Sequence, residues 1–248
     1  MSRKRLLNIS VDDLSMNEAV EAVDKLVKAK ENAYVVTPNV DHIIKVEHDL
    51  EFRKIYEDAD LILTDGMPLI WISKFLKNPI KEKVSGSDLF PKICQLSAEK
   101  GYKMFLLGAG EGVAKIAQIN LERKFPGLNI CGTYSPPMGF ENDKKELSKI
   151  MGILQHSQAD ILIVGLGCPK QEKFIYKYRK EYKIAVSLAL GASIDFEAGK
   201  VKRAPVWMQK CGLEWFYRLC KEPKRMFKRY IVDDMKIFAI FIKYRKNK

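Results

Sequence analysis

Short runs of Val, Ile, Leu and aromatic residues, at 6–9, 33–37, 61–64, 103–107, 129–132, 161–165 and 184–190, alternate along this chain with longer stretches of helical spacing. Those stretches lie at 17–29, 40–46, 68–75, 87–100, 113–124, 144–155 and 171–182. Each short run is bounded by turn residues and lacks a polar residue at every second position, so it reads as a strand buried on both faces. Strands joined through a helix run parallel, since a tight hairpin can only join antiparallel ones. The pattern predicts an α/β fold: a Rossmann-like, mostly parallel sheet flanked by helices on both faces.

In such a sheet the carboxyl ends of the strands share one edge, and ligands bind just beyond it. The residues there are Thr37-Pro38-Asn39, Asp65-Gly66-Met67-Pro68, Gly108-Ala109-Gly110, Gly165-Leu166-Gly167 and Gly191-Ala192-Ser193. Small and glycine residues let a ligand approach the backbone and leave the N–H groups of the next helix exposed. Five such loops on one edge predict a small ligand that carries phosphate. Gly108-Ala109-Gly110-Glu111-Gly112-Val113 resembles the dinucleotide loop G-x-G-x-x-G, but Val113 stands at the third glycine. No acidic residue follows a strand at the usual distance either, which disfavours a dehydrogenase.

Charge divides the chain in two. Residues 200–248 hold fifteen Lys/Arg against four Asp/Glu, which is +11 of the total +12, so residues 1–199 are nearly neutral. The expected organisation is a catalytic α/β domain over 1–199 and a basic helical appendage over 200–248. Within the appendage, Phe227, Tyr230, Ile231, Met235, Phe238, Phe241 and Ile242 recur every three to four residues, which predicts an amphipathic basic helix over 225–245. Cations interleaved with large rings suit an anionic membrane surface or a lipid-linked phosphate. Nucleic acid bound by a basic arm is the rival reading. The longest wholly apolar run of the appendage, 237–242, falls far short of the roughly 20 residues of a membrane span. The basic start, MSRKRLLNIS, meets Asp12 and Asp13 before a signal-peptide core can form. Five cysteines with no C-x-x-C pair argue against disulfides and a zinc site. These features predict a cytoplasmic protein, peripheral on the inner face of the membrane, with homo-oligomerisation left open.

Asp65 is the leading candidate for chemistry. It follows an apolar strand in Thr64-Asp65-Gly66-Met67-Pro68, where a carboxylate can cap the next helix or serve as a general base. Thr37 and Asn39 flank a proline and can likewise cap a helix or bond a ligand hydroxyl. Asp195 is a lone acid in an apolar segment, which calls for a backbone or ligand partner. Pro169-Lys170-Gln171-Glu172 reads as a Pro-initiated first helical turn. His42, His48 and His156 have no metal-ligand spacing and read as ordinary residues. Asp12-Asp13 and Asp233-Asp234 read as solvated charge pairs. No nucleophilic triad stands out, and the expectation is no metal and no cofactor.

The motifs together resemble the WecG/TagA/CpsF glycosyltransferases, glycosyltransferase family 26. The matching stretches are Thr37-Pro38-Asn39, Thr64-Asp65-Gly66-Met67-Pro68, Ser85-Gly86-Ser87-Asp88-Leu89, Phe105-Leu106-Leu107-Gly108, Gly167-Cys168-Pro169-Lys170-Gln171-Glu172, Gly191-Ala192-Ser193-Ile194-Asp195-Phe196 and Arg203-Ala204-Pro205. Gly212-Leu213-Glu214-Trp215, Arg218-Leu219, Glu222-Pro223 and Arg229-Tyr230 follow in the tail. The resemblance implies an inverting transfer of a sugar from a UDP-sugar to polyprenyl-diphosphate-linked N-acetylglucosamine. The branch it looks most like transfers N-acetylmannosamine in wall teichoic acid synthesis; other donors of the family are its uronic acid, glucose and galactose. By that likeness Asp65 is the base. Thr37, Asn39 and Gln171 line the sugar and diphosphate region, with Gly108 and Asp195 on the same edge. Arg203, Arg218, Arg225 and Arg229 complete the site over the phosphates. Lys83 stands where the family commonly has arginine, keeping the charge without the bidentate fork.

Overall fold

The computed structural model describes residues 2–245, without the side chains of Lys210, Arg225 and Arg229. Two strands, β1 (Arg3–Leu6) and β2 (Ile9–Asp12), pair antiparallel. Six more form a wholly parallel sheet: β3 (Ala33–Val36), β4 (Leu61–Ile62), β5 (Lys103–Gly108), β6 (Asn129–Tyr134), β7 (Ile161–Gly165) and β8 (Val186–Ala189), in the order β4-β3-β8-β7-β5-β6.

Alternation along these strands explains why both faces are covered. Tyr34, Val36, Phe105, Leu107, Leu162 and Val164 join one core with the helices Val40–His48, Leu50–Glu57, Lys144–Ser157 and Lys170–Tyr182. Val35, Met104, Leu106, Ile161, Ile163 and Leu188 join the other, with Met16–Ala29, Gly86–Lys100 and Val113–Lys124. Each strand is therefore apolar on both sides, as a buried parallel strand must be.

The structure corrects three expectations. The run 6–9 is a hairpin and not one strand: Leu6 faces Ile9, Leu7 takes a φ of 54°, and Asn8 Nδ2 donates to the Ile43 carbonyl at 2.9 Å. Asp12 is not solvated. It is buried, accepting from the Ile62 N–H at 2.8 Å and from Arg3 Nε at 3.2 Å, and so joins the hairpin to the sheet's edge strand. A helix at Leu50–Glu57 was not expected, although its Asp49 cap and the spacing of Phe52, Ile55 and Tyr56 encode it.

The tail runs as helices Val206–Lys210, Glu214–Lys221 and Pro223–Phe227, then stays helical to Arg245 with changes of pitch. Lys228–Asp233 is a π turn, Asp234–Lys236 a 3-10 turn, and Ile237–Arg245 an α-helix. The amphipathic segment is thus helical but not uniform. Ile237 and Ile240 are buried in the first core, and Glu47 on Val40–His48 anchors Lys243 (2.5 Å) and the Tyr244 hydroxyl (3.1 Å).

Candidate functional site

A cleft of roughly 1220 Å³ opens at the carboxyl edge of the sheet, lined by residues that follow all six parallel strands and closed on one side by the tail. That volume exceeds the ~300–1,000 Å³ of most small-ligand pockets and leaves room for two substrates.

Asp65 lies in this cleft. Its N–H donates to the Pro38 carbonyl at 2.9 Å, which continues the β4–β3 pairing past the strand. Helix Met67–Phe75 begins at Gly66, whose φ of 103° suits glycine, and no side chain caps it. The cap reading of Asp65 is thereby excluded, and its carboxylate has no hydrogen bond to any described residue. Burial pushes its pKa up to about 6 against the pull of Lys83, with Glu214 adding to the rise. A carboxylate raised towards neutrality and left unbonded is suited to accept a proton.

Lys83 also lines the cleft, its Nζ 2.9 Å from Asp88 Oδ2. Asp88 takes Ser85 Oγ at 2.6 Å and Arg203 at 2.8 Å, and these partners outweigh its burial to hold it down at about 2. Arg203 is spent on this network and on Gln209 (2.9 Å); it stands behind the cleft wall. Arg218 does line the cleft and lies 5.5 Å over the Phe196 ring. The side chains of Arg225 and Arg229 lie outside the described residues.

Thr37 lines the cleft and donates to the Ala189 carbonyl at 3.2 Å, tying the ends of β3 and β8 together. Asn39 caps Val40–His48 through Oδ1, which accepts from the Asp41 N–H at 3.1 Å. Gln171 is buried: its Oε1 accepts from the Gly191 N–H at 3.1 Å and its Nε2 donates to Glu172 at 2.7 Å. Asp195 lines the cleft on the short helix Ser193–Glu197. Gly108 does not line it. A Cβ there would sit 2.4 Å from the Gly165 carbonyl oxygen, so glycine is required by the approach of β5 to β7 and not by a ligand.

Residues that sequence reasoning passed over complete the floor. His42, expected to be ordinary, is buried beneath the cleft with Nδ1 2.8 Å from Asn39 Oδ1 and Nε2 3.3 Å from Glu172 Oε1. Burial opposes its charge, but Cys168 and Glu172 outweigh it and hold the imidazole pKa up at about 10. The available signal was the acid three residues beyond Gly-Cys-Pro. Asp41, His42 and Cys168 bring one donor atom each within 4.8 Å of one another, the group of described residues able to hold a metal ion. Burial pushes the Cys168 thiol up, against the pull of His42. Trp71 on Met67–Phe75 and Phe238 of the tail line the cleft, and Phe75 (78% exposed), Trp207 and Phe227 likewise leave large apolar side chains in water.

The model of the glycosyl transferase WecG/TagA/CpsF family matches residues 4–248. A protein of Bacillus subtilis (strain 168) named N-acetylglucosaminyldiphosphoundecaprenol N-acetyl-beta-D-mannosaminyltransferase is 30% identical over 249 residues, covering 100% of this chain and 94% of its own. Proteins with the same name are 34% identical over 193 residues in Bacillus spizizenii (78% and 73% covered) and 26% identical over 223 residues in Staphylococcus aureus (strain MW2; 89% and 85% covered).

Proposed function

Because this chain belongs to the WecG/TagA/CpsF family of glycosyl transferases, we propose that it moves N-acetylmannosamine from its UDP derivative to N-acetylglucosaminyl-diphospho-undecaprenol, with inversion. The acceptor and the transferred sugar are those in the names of its relatives. The observation that carries the chemistry is Asp65, an unbonded carboxylate with a pKa near 6 in a two-substrate cleft.

In this reading the acceptor hydroxyl gives its proton to Asp65 as its oxygen attacks the anomeric carbon. The bond from that carbon to the UDP oxygen breaks on the opposite face, and UDP leaves. One displacement inverts the centre and needs one base. The departing diphosphate needs positive charge, which Lys83 and Arg218 supply from the cleft wall. In this reading protein cations do this work.

The exposed rings of the tail and of Met67–Phe75 would enter the headgroup layer beside the cleft, delivering a lipid-bound acceptor to Asp65. No helix among the described residues is long and apolar enough to cross a membrane. A peripheral site on the inner leaflet fits this reading. Incubation with a panel of UDP-sugars and a lipid-diphosphate N-acetylglucosamine acceptor tests it. N-acetylmannosamine should be transferred fastest, with release of UDP; preference for another sugar would reassign the donor.

A further inference from the structure

The floor of the cleft gathers donor atoms that the proposed transfer does not use. Asp41 and His42 sit in the first turn of Val40–His48, after β3, and Cys168 stands just before Lys170–Tyr182, after β7. A carboxylate oxygen of Asp41, an imidazole nitrogen of His42 and the Cys168 sulfur all lie within 4.8 Å of one another. Around a tetrahedral zinc, with bonds of about 2.0–2.3 Å, such atoms stand about 3.5 Å apart, so modest side-chain rotations close the gap. His42 is buried, Asp41 and Cys168 are half-buried, and all three line the cleft. Asn39 Oδ1, 2.8 Å from Nδ1, orients the ring from behind, as the outer partner of a ligating histidine does.

Two buried polar atoms at the same spot have no hydrogen-bond partner among the described residues. Glu172 is 1% exposed; its Oε1 lies 3.3 Å from His42 Nε2 and accepts from Gln171 Nε2 at 2.7 Å, while its Oε2 is left over. The Tyr56 hydroxyl is the other, and Glu172, Cys168 and Asp41 are its charged neighbours. A buried carboxylate oxygen calls for a partner, and a cation beside His42 would be one. Lys45 already pairs with Asp41 Oδ1. A carboxylate has about four lone-pair sites and can hold a lysine and a metal ion together.

We propose that Asp41, His42 and Cys168 form a binding site for a zinc-class divalent cation, with Glu172 Oε2 as the fourth donor. Sulfur, nitrogen and oxygen together select borderline metals such as Zn²⁺ and Co²⁺; Mg²⁺ and Ca²⁺ take oxygen alone. As the sulfur–metal bond forms, the thiol proton passes to water, driven off by the charge of the ion, and any imidazole proton leaves with it. The ion would pin the segment after β3, which carries Asn39, to the segment after β7, which carries Gln171. Lys83 and Arg218, assigned above to the departing diphosphate, supply no donor, so the site stands beyond the transfer reaction and is read without it.

Cobalt(II) is the probe, added to full-length protein stripped with a chelator. One equivalent should bind, giving the ultraviolet thiolate-to-cobalt charge-transfer band and the strong visible bands of tetrahedral coordination. Zinc should bleach both, and millimolar Mg²⁺ neither. Cys168→Ser should lose the charge-transfer band, and Asp41→Asn should weaken cobalt binding about tenfold or more. Cys94, Cys131, Cys211 and Cys220 remain in Cys168→Ser, so a charge-transfer band that survives there would place the metal on another thiol and overturn the site. A wild-type protein that gives no such band would overturn it as well. If Cys168→Ser fails to fold, labelling of the wild-type protein with iodoacetamide still decides. Zinc should slow modification of Cys168, read by peptide mass, and leave the exposed Cys131, Cys211 and Cys220 unchanged. Equal labelling of Cys168 with and without zinc would sink the proposal, whatever sugar the enzyme transfers.

Discussion

Residues 2–199 and the tail are stabilised in different ways, although both line the cleft. In the α/β body, apolar strand residues are covered on both faces, and the backbones approach until only glycine fits, as at Gly108 against Gly165. In the tail, Met208, Met226, Ile237 and Ile240 are buried, while Trp207, Phe227, Phe238 and Ile242 are each more than half exposed. The body is nearly neutral and the tail carries +11. A tightly packed body suits the placement of a base to a fraction of an ångström. A lightly anchored, cationic, apolar tail suits a surface that is anionic outside and greasy beneath. On the proposed function this division gives chemistry to one part and substrate delivery to the other, and it can be broken experimentally.

The harshest test removes residues 200–248. The body should keep its far-UV circular dichroism and cooperative unfolding, at a lower midpoint because Ile237 and Ile240 no longer cover its first core. Transfer to the lipid acceptor should vanish. Full transfer by the truncated protein would end the division of labour.

Within the body, Asp65→Asn should cost about 10²–10⁴-fold in kcat with UDP-sugar binding by calorimetry retained. The wild-type pH profile should fall tenfold per unit below pH 6, as the base takes up its proton. Stability should move the other way. The folded pKa lies above the unfolded one, so the folded state binds this proton more tightly, and stability falls as pH rises between about 4 and 6. Asp65→Asn should therefore melt higher than wild type at pH 7.5. An unchanged rate in the mutant would remove Asp65 as base.

Packing gives the next largest contrast. Gly108→Ala places a Cβ 2.4 Å from a carbonyl oxygen at a φ of 118° and should cost about 3 kcal/mol or more by denaturant titration. Trp207→Ser, on a side chain 61% exposed, should fall within about 0.5 kcal/mol of wild type. Similar losses from both would mean the tail is as tightly built as the body.

The sequence carried the body better than the site. Period and composition placed strands 161–165 and helix 113–124 to the residue, because parallel strands and amphipathic helices write their burial into local pattern. The hairpin at Leu7-Asn8 was hidden because β1 is charged and reads as a terminus. Asp12 looked like surface because its partner, the Ile62 N–H, lies 50 residues away. The strand-end loops located the cleft, and Asp65 was found as one of two readings. His42, Glu172 and the true duty of Gly108 were not visible, since each depends on contacts between segments far apart in the chain. Arg203 was read as a phosphate ligand through the family resemblance and its charge, and the fold pairs it with Asp88.

Lys83 tests how the two parts share the cleft's charge. Lys83→Met removes the cation that lowers the Asp65 pKa and leaves Asp88 held by Ser85 and Arg203. The acidic limb of the kcat/KM profile should move upward from about 6, and kcat/KM at pH 7 should drop about tenfold. Lys83→Arg should leave the limb in place. A limb that does not move in Lys83→Met would assign the neutralising charge to Arg218 and the tail instead.

The smallest expected effect probes the latch between the two parts. The Glu47 carboxylate receives Asn8 Nδ2 at 2.9 Å, Lys243 at 2.5 Å and Tyr244 at 3.1 Å, and these bonds outweigh burial to hold its pKa below the ordinary value. A depressed carboxyl pKa contributes stability above the unfolded value, near 4.3, and loses it as pH falls through the folded one. The last helix should therefore stay docked at neutral pH and loosen in acid. Lys243 is largely exposed, so water and salt screen its part, and the pair is worth no more than about 1 kcal/mol. Glu47→Gln should accordingly speed tryptic cleavage in the tail only a few-fold, with 0.5 M salt producing a similar change in wild type. Cleavage as slow as wild type would show that Ile237 and Ile240 hold the tail by themselves. Complete release would show that apolar burial there contributes little and that one carboxylate joins the body to the tail.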